Sequence, residues 1–301
     1  MSPANGLATL ADQRENPADL VREVSGLASP PEVCMKVMDM VQQDCASAQE
    51  FGEIIARDPS LTSRLLRLVN SSFFGLSRRV ETVSRAISIL GVRELYNLVV
   101  AVSAVSSFSN IPNRLVNMDT FWRHSLYTGL IARILAKQIG VLHPERLFIA
   151  GLLHDIGSLV LYSRRTEIAR DLLLIAQGDE EMLCQAEVDT LGFSHADLGR
   201  LLLDQWRLPE ALQEAVGYHH DPAAAESAQL EAALVHLANN LANCSLIGAF
   251  CEDPTGSSVP ADAAWAITGI EPDSLDAEAL IGEAGLQFTD TVSVMFAKPG
   301  D

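Results

Sequence analysis

The sequence predicts an all-α protein. Three observations carry that prediction. Apolar residues recur at three- and four-residue spacing through most of the chain, and helix start and stop signals separate those stretches. No segment gives a sustained apolar–polar alternation joined by hairpin turns.

In chain order, residues 1–25 are polar at their start and are expected to be loosely held. Ser47-Ala48-Gln49-Glu50 is a capping box that opens a helix through Phe51, Ile54 and Ile55. Asp58-Pro59 breaks it, and Pro59 or Ser60 starts the next helix, with Leu61, Leu65, Leu68 and Val69 on one side. Val83, Ala86, Ile87 and Leu90 repeat the spacing, and Gly91 fits the position after a helix end. Val99 to Val105 alternates in part, which a buried helix explains equally well. Asn110-Ile111-Pro112-Asn113 is the expected boundary between two lobes. A long helix is expected from about Asp119 to Gly140. His154 ends a helix striped by Leu147, Ala150 and Gly151, with Gly157 as the stop. Ser194 and Asp197 mark a further helix start, and Pro209 another, whose helix ends at Tyr218-His219-His220. Glu252 to Ser258 reads as a loop, followed by two or three short helices. The expected organisation is a loose segment 1–25, a helical lobe 26–112, a second helical lobe 113–250 holding most histidines, and an acidic extension 251–301.

The composition bounds the function. With 301 residues and 48% hydrophobic content the chain can bury a large core. A net charge of −18 speaks against nucleic acid or an anionic membrane as the main partner. No apolar run is seen to approach the ~20 residues that span a bilayer, and Met1-Ser2-Pro3 opens without the basic start of a signal peptide. Five cysteines, odd in number and without a C-x-x-C, fit a reduced, cytoplasmic protein with unpaired thiols. The charge is uneven: seven arginines face two acids between Arg57 and Arg93, whereas one lysine faces fifteen acids from Pro209 onward. Two differently solvated surfaces explain this most simply. The sharper reading is a basic patch at Arg57, Arg64, Arg67, Arg78 and Arg79 for an anionic ligand or an acidic partner surface.

Five of the seven histidines, with Asp155, form a candidate ligand set: His124, His154, Asp155, His195, His219 and His220. Neutral imidazole and carboxylate are natural ligands for Zn, Fe, Mn or Ni. Each residue also has a plainer explanation. His124 shares a helix face with Thr128, Ile131 and Leu135, where a lone histidine is more often a hydrogen-bonded core residue. A buried Asp155 is costly unless paired or metal-bound, and a structural hydrogen bond to His154 would serve. His195, in a first helical turn, fits a partly exposed surface histidine. His219 and His220 would point about 100° apart on a helix, so both reach one centre only at a frayed end or between two metals. Their plainer role is to favour a helix C-terminus. The residues alone leave the two explanations evenly balanced.

Several motifs then act in combination: Leu27-Ala28-Ser29-Pro30-Pro31, Ile54-Ile55-Ala56-Arg57-Asp58-Pro59-Ser60-Leu61, Leu66-Arg67-Leu68-Val69-Asn70-Ser71, Ala86-Ile87-Ser88-Ile89-Leu90-Gly91, His154-Asp155-Ile156-Gly157, and Trp206-Arg207-Leu208-Pro209 leading to His219-His220. With them the sequence resembles the HDOD family, the HD-related output domains of bacterial signalling, over roughly Gly26 to Asn243. The resemblance implies a helical N-terminal lobe packed on a lobe related to the HD phosphohydrolases. It also implies that the six residues above occupy the positions that bind one or two divalent ions. In the enzymes of that superfamily a metal-bound water attacks phosphorus. Three departures stand out. Asn239 occupies the place of the Asp that usually closes the ligand set; Ser158 stands where the related cyclic-di-GMP phosphodiesterases carry Lys; and no Gly-Tyr-Pro motif follows the double histidine. The resemblance therefore implies a non-enzymatic module that binds other signalling proteins, with the basic patch and the acidic tail as docking surfaces. The alternatives are a metal-dependent phosphohydrolase whose arginines reach the site across a cleft between lobes, and a pocket for an anionic nucleotide without turnover.

Overall fold

A computed structural model describes residues 15–24, 32–42, 47–108, 115–251 and 260–296. Among them all regular elements are helical, as the sequence predicts. The N-terminal part contributes α1 (Pro17–Val24), α2 (Glu32–Gln42), α3 (Ala48–Ile55), α4 (Pro59–Val69), α5 (Val83–Leu90) and α6 (Val92–Phe108). The second part holds α7 (Met118–Gln138), α8 (Glu145–Leu153), α9 (Ile156–Arg164), α10 (Thr166–Ala176), α11 (Glu180–Leu191), α12 (His195–Gln205), α13 (Glu210–Gly217) and α14 (Gln229–Asn243). The tail adds α15 (Asp262–Thr268) and α16 (Ala277–Met295). The Leu27–Pro31 motif, the expected boundary at residues 110–113 and the expected loop at 252–258 lie outside the described residues.

Local chemistry sets the helix ends. The Ser47 hydroxyl accepts from the Glu50 N–H while the Glu50 carboxylate accepts from the Ser47 N–H, a complete capping box. Asp58 accepts from the Leu61 N–H at 2.9 Å, ahead of Pro59. Ser194 and Asp197 form a second box at the start of α12. Residues 98–105 are helical and almost wholly buried within α6.

Three expectations need correction. Residues 17–24 are not loose: they form α1, with Leu20, Val21 and Val24 buried against α9 and α12 and Arg165 paired with Glu15 and Glu23. Gly157 does not stop a helix. The chain breaks at His154-Asp155, and Gly157 lies in the first turn of α9, where a Cβ would sit 2.0 Å from the His195 carbonyl oxygen. Glycine is there for close packing of α9 on α12. Finally, the tail is not made only of short helices. Its α16 runs nineteen residues and packs on α7 and α4, with Leu280, Ala284, Thr291, Val294 and Met295 buried and Glu278, Glu283 and Asp290 facing out. The Tyr127 hydroxyl donates to the Ile281 carbonyl at 2.6 Å, which ties this extension into the core.

Contrary to the expectation of no such stretch, one among the described residues, Glu145–Arg164, is long and apolar enough to cross a bilayer, because its polar residues are too few to lower its mean hydropathy. It is α8 and α9, broken at His154-Asp155, and 89% of it is buried inside the protein.

The core is organised around α7, which is buried on nearly every side. It crosses α8 at two glycines: a Cβ on Gly151 would lie 2.6 Å from the Gly129 Cα, and one on Gly129 would lie 2.5 Å from the Phe148 carbonyl oxygen. This backbone-to-backbone approach sets His124 beside His154. Further along α7, the buried Arg133 joins three regions. Its Nη2 donates to the Phe73 carbonyl at 2.8 Å, its Nη1 to Gln287 at 3.3 Å, and its Nε lies 3.7 Å from Glu145. The guanidinium also stacks 3.8 Å from the centroid of the Phe73 ring. Burial lowers its proton affinity, and Glu145, Glu283 and Glu94 oppose that effect.

Two substitutions test this frame. Gly151→Ala is expected to destabilise the protein by about 1–3 kcal/mol or more, because backbone must move to admit a methyl group. A urea midpoint equal to that of the wild type would contradict the close crossing. Arg133→Met is expected to cost about 3 kcal/mol by orphaning the Phe73 carbonyl and Glu145. Denaturation within 0.5 kcal/mol of the wild type would show that the bridge contributes little.

Candidate metal centre

Every candidate ligand comes from a place where a helix begins, ends or crosses another. His124 lies on α7 near its crossing with α8. His154 caps the C-terminus of α8, and Asp155 is the residue before α9. His195 is the first residue of α12, and His219-His220 follow the end of α13 at Gly217. Side chains at such breaks are free of helical spacing, so adjacent residues can turn toward one point.

They do converge. His124 Nε2 lies 3.2 Å from His154 Nε2, and His195 Nε2 lies 3.1 Å from His220 Nε2. Asp155 stands between these pairs. Its Oδ2 is 3.3 Å from His154 and 3.7 Å from His124, while its Oδ1 is 3.3 Å from His195 and 3.8 Å from His219. The structure thus brings all six predicted residues together. Adjacent His219 and His220 serve the same cluster because the chain has left the helix, their rings 4.2 Å apart. His195, whose plainer reading was a surface residue, is 1% exposed.

The outer ring nitrogens fix the chemistry of the inner ones. The Nδ1 atoms of His124, His154 and His219 each lie 2.7 Å from a backbone carbonyl, of Gly248, Gly151 and Val216 respectively. A carbonyl only accepts, so each Nδ1 carries the proton and each Nε2 is left as a bare acceptor; this tautomer follows from the hydrogen bonds. His195 Nδ1 lies 2.7 Å from Glu187, and His220 Nδ1 lies 3.2 Å from Glu181. Imidazoles backed by carbonyls and carboxylates in this way are the usual support of metal-binding histidines.

The inner atoms lack partners of their own. Both Asp155 oxygens and His219 Nε2 are buried without a hydrogen bond. Two bare imidazole nitrogens about 3 Å apart repel unless they share a cation. Two nitrogens bound at ~2.0–2.1 Å to one tetrahedral or octahedral ion sit roughly 2.9–3.4 Å apart, which is the spacing found. The residues therefore fit a divalent metal.

The charge balance agrees. Burial pushes His154 down, and it pushes His219 well down, with His220 and His154 adding to the effect. Burial would raise Asp155, but His154, His195 and His124 hold it well below the usual carboxylate range. Burial would lower His195, but Glu187 and Asp155 lift it well above the usual imidazole range. Burial thus favours the neutral form of His154 and His219, while the neighbouring imidazoles favour an ionised Asp155.

Sequence reasoning missed the acidic side of the site. Glu180, Glu181 and Glu187 come from α11 and read in sequence as ordinary helix charges, the first two in a first turn where acids are favoured. Glu180 and Glu187 are buried with Leu183 and Leu191 on one face, a spacing that could have flagged them. The ligand atoms form two compact groups, each within 4.8 Å: His124, His154, Asp155 and Glu180, and Glu180, His195, His219 and His220. Asn239 does not point an empty amide at the site. Its Nδ2 donates to both Glu180 oxygens at 3.0 Å, and Asn243 donates to Glu180 at 2.7 Å. His236 stands outside the ligand set: its Nδ1 donates to the His219 carbonyl at 2.7 Å, and its Nε2 accepts from the Ala261 N–H at 3.0 Å.

The basic patch is elsewhere. Arg67 and Arg79 line a groove with Glu81, Asn70, Ser71, Asp290 and Ser293, and none of the groove's lining residues belongs to the cluster. Arg64 bonds to Ser60 and Ser106, while Arg57 and Arg78 are exposed.

Comparison with known proteins places this geometry. The family model described as HDOD domain matches residues 27–222. An HDOD domain protein of unknown function from Geobacter sulfurreducens is 24% identical, with a TM-score of 0.71 over 94% of this chain and 99% of its own. A protein from Shewanella amazonensis, named "putative phosphohydrolase", is 23% identical, with a TM-score of 0.69 over 94% of this chain and all of its own. An uncharacterized protein of Treponema pallidum is 27% identical over 208 residues, covering 68% of this chain but 39% of the relative. The chain thus spans about two fifths of that curated relative's length.

A chelator experiment tests the centre. Stripping bound metal with a strong chelator is expected to lower the midpoint of thermal unfolding by several degrees, because bare acceptors are then left facing one another in the core. Re-addition of Mn, Fe, Ni or Zn is expected to restore it. An unchanged midpoint in both steps would contradict a metal that fits this cluster.

Proposed function

This chain belongs to the HDOD domain family, and we propose that it is a cytoplasmic signalling output module that binds other proteins and keeps a buried divalent-metal centre without phosphodiester turnover. The observation that carries this reading is the separation of the two features hydrolysis would need together. The His/Asp ligands are buried to 1% exposure or less, except His220, whose side chain is 11% exposed. Of the arginines that would hold a phosphate, Arg67 and Arg79 lie in the groove beside α16, which none of those ligands lines. The charged partners of the site histidines are carboxylates, at Asp155, Glu180, Glu181 and Glu187. The exposed Glu181 carboxylate stands 3.2 Å from His220, the most exposed of the six, and would repel an approaching phosphodiester.

A bound divalent ion would supply Lewis acidity and lower the pKa of a coordinated water. The residues here hold such an ion by helix breaks: His154-Asp155 locks α8 to α9, His195 starts α12 and His219 leaves α13. The centre then acts as a rivet between helices, and the exposed faces of the N-terminal part and the tail are left for partners. The exposed arginines Arg57, Arg67, Arg78 and Arg79 are the surface we assign to an acidic partner segment, with an anionic nucleotide as the smaller ligand of the same chemistry; within the groove itself Glu81 and Asp290 balance Arg67 and Arg79. The partial exposure of the His220 side chain, beside the exposed Glu181, favours one second reading, a metal-dependent phosphohydrolase; the Shewanella amazonensis protein above is named "putative phosphohydrolase".

Metal-replete protein is expected to release p-nitrophenol from bis(p-nitrophenyl) phosphate, and product from cyclic dinucleotides, no faster than buffer containing the same metal. Turnover that disappears in His154→Ala and Asp155→Ala would overturn the non-enzymatic reading in favour of the second.

A further inference from the structure

We propose that Glu180 is the carboxylate that closes this metal centre, in place of any acid at position 239, and that it serves both of two ion positions. Asn239 and Asn243 are the residues that position it. The proposal rests on the reading of the cluster as a metal centre and deepens it.

The geometry is specific. The ligand atoms divide into two groups, each compact enough for one ion, and Glu180 is common to both. Asp155 also faces both, turning Oδ2 toward His124 and His154 and Oδ1 toward His195 and His219. Two carboxylates thus stand between a two-histidine set and a three-histidine set. Glu181 and Glu187 are not rivals for this place, because each is engaged with the outer Nδ1 of His220 or His195.

Electrostatics gives the same assignment. Glu180 is 8% exposed, and its carboxylate accepts hydrogen bonds from the amides of Asn239 and Asn243. Those amides carry no net charge. The nearest site nitrogen, His154 Nε2 at 3.9 Å, faces inward as a bare acceptor. A buried carboxylate with neutral donors on one side and acceptors on the other needs a cation on the acceptor side.

The same geometry explains why residue 239 is Asn. An Asp there would set a second carboxylate about 3 Å from Glu180, and two such groups cannot both stay ionised at low cost. Asn keeps the shape and supplies donors. With Asn243 one helical turn further along α14, it makes a two-amide clamp. The negative charge has moved from α14 to α11; it has not been lost from the site.

The test uses the full chain loaded with Mn(II), read by metal analysis and by electron paramagnetic resonance. Wild type is expected to bind two Mn per chain and to show the signal of an exchange-coupled pair. Glu180→Gln is expected to lose the coupled signal and bind at most one Mn tightly. Asn239→Ala and Asn243→Ala keep the ligand and are expected to weaken binding about 10-fold, in the range of outer-sphere support. Glu180→Gln combined with Asn239→Asp is expected to recover the second ion by returning the carboxylate to α14. Two Mn and a coupled signal in Glu180→Gln would overturn the assignment of Glu180 while leaving the metal centre standing. A single Mn in wild type would overturn the shared pair, and no Mn, Fe, Ni or Zn in wild type would overturn the metal centre itself. If Glu180→Gln fails to fold by circular dichroism, the two asparagine variants decide: unchanged affinity in both overturns the proposal.

Discussion

The structure depends on a set of acceptor atoms held face to face in the core. Five imidazoles turn inward around Asp155, and the three backed by backbone carbonyls present a bare Nε2 there. Asp155 makes no close hydrogen bond, its nearest imidazole nitrogens being 3.3 Å away on His154 and His195. Such an arrangement is unfavourable by itself, because each group has given up water and gained a repulsive neighbour. A divalent cation reverses the sign of every one of these contacts. The same cluster is the point where α8, α9, α12 and α13 begin or end, so the cation and the helix packing stabilise one another.

The glycines show how closely the fold is built around that point. Gly129 and Gly151 let two helix backbones touch, which sets His124 against His154; Gly157 lets α9 press on α12, which sets Asp155 against His195. His236 then anchors the His219 carbonyl to α14 and to the tail at Ala261. The tail is therefore part of the same cooperative structure. Through Arg133 its α16 is also connected to Phe73 in the N-terminal part.

Much of this was legible in the sequence where a signal is local. Ser47 and Ser194 announce helix starts because their side chains bond within three residues, and they cap in the structure as they read; Asp58, read with Pro59 as a break, caps the next helix as well. The six clustered residues were legible because histidine is scarce here and gathers at helix ends. What depends on a distant partner was not. Glu180 looks like any acid in a first helical turn until Asn239, on another helix, is placed against it. Read alone, Asn239 suggested a ligand lost. Gly157 carries the same letter whether it stops a helix or admits a neighbour, and only α12 decides. The length of α16 was hidden by Gly282 and Gly285, which lower helix propensity within a segment held by packing.

The most direct test of the account is X-ray absorption at the metal edge on purified, metal-replete protein. The account predicts a first shell of nitrogen and oxygen only, with the outer-shell scattering of several imidazoles, lost when His154 and His219 are replaced by alanine. A spectrum with a sulfur-containing shell, or one with no imidazole scattering, would place the metal elsewhere and contradict it.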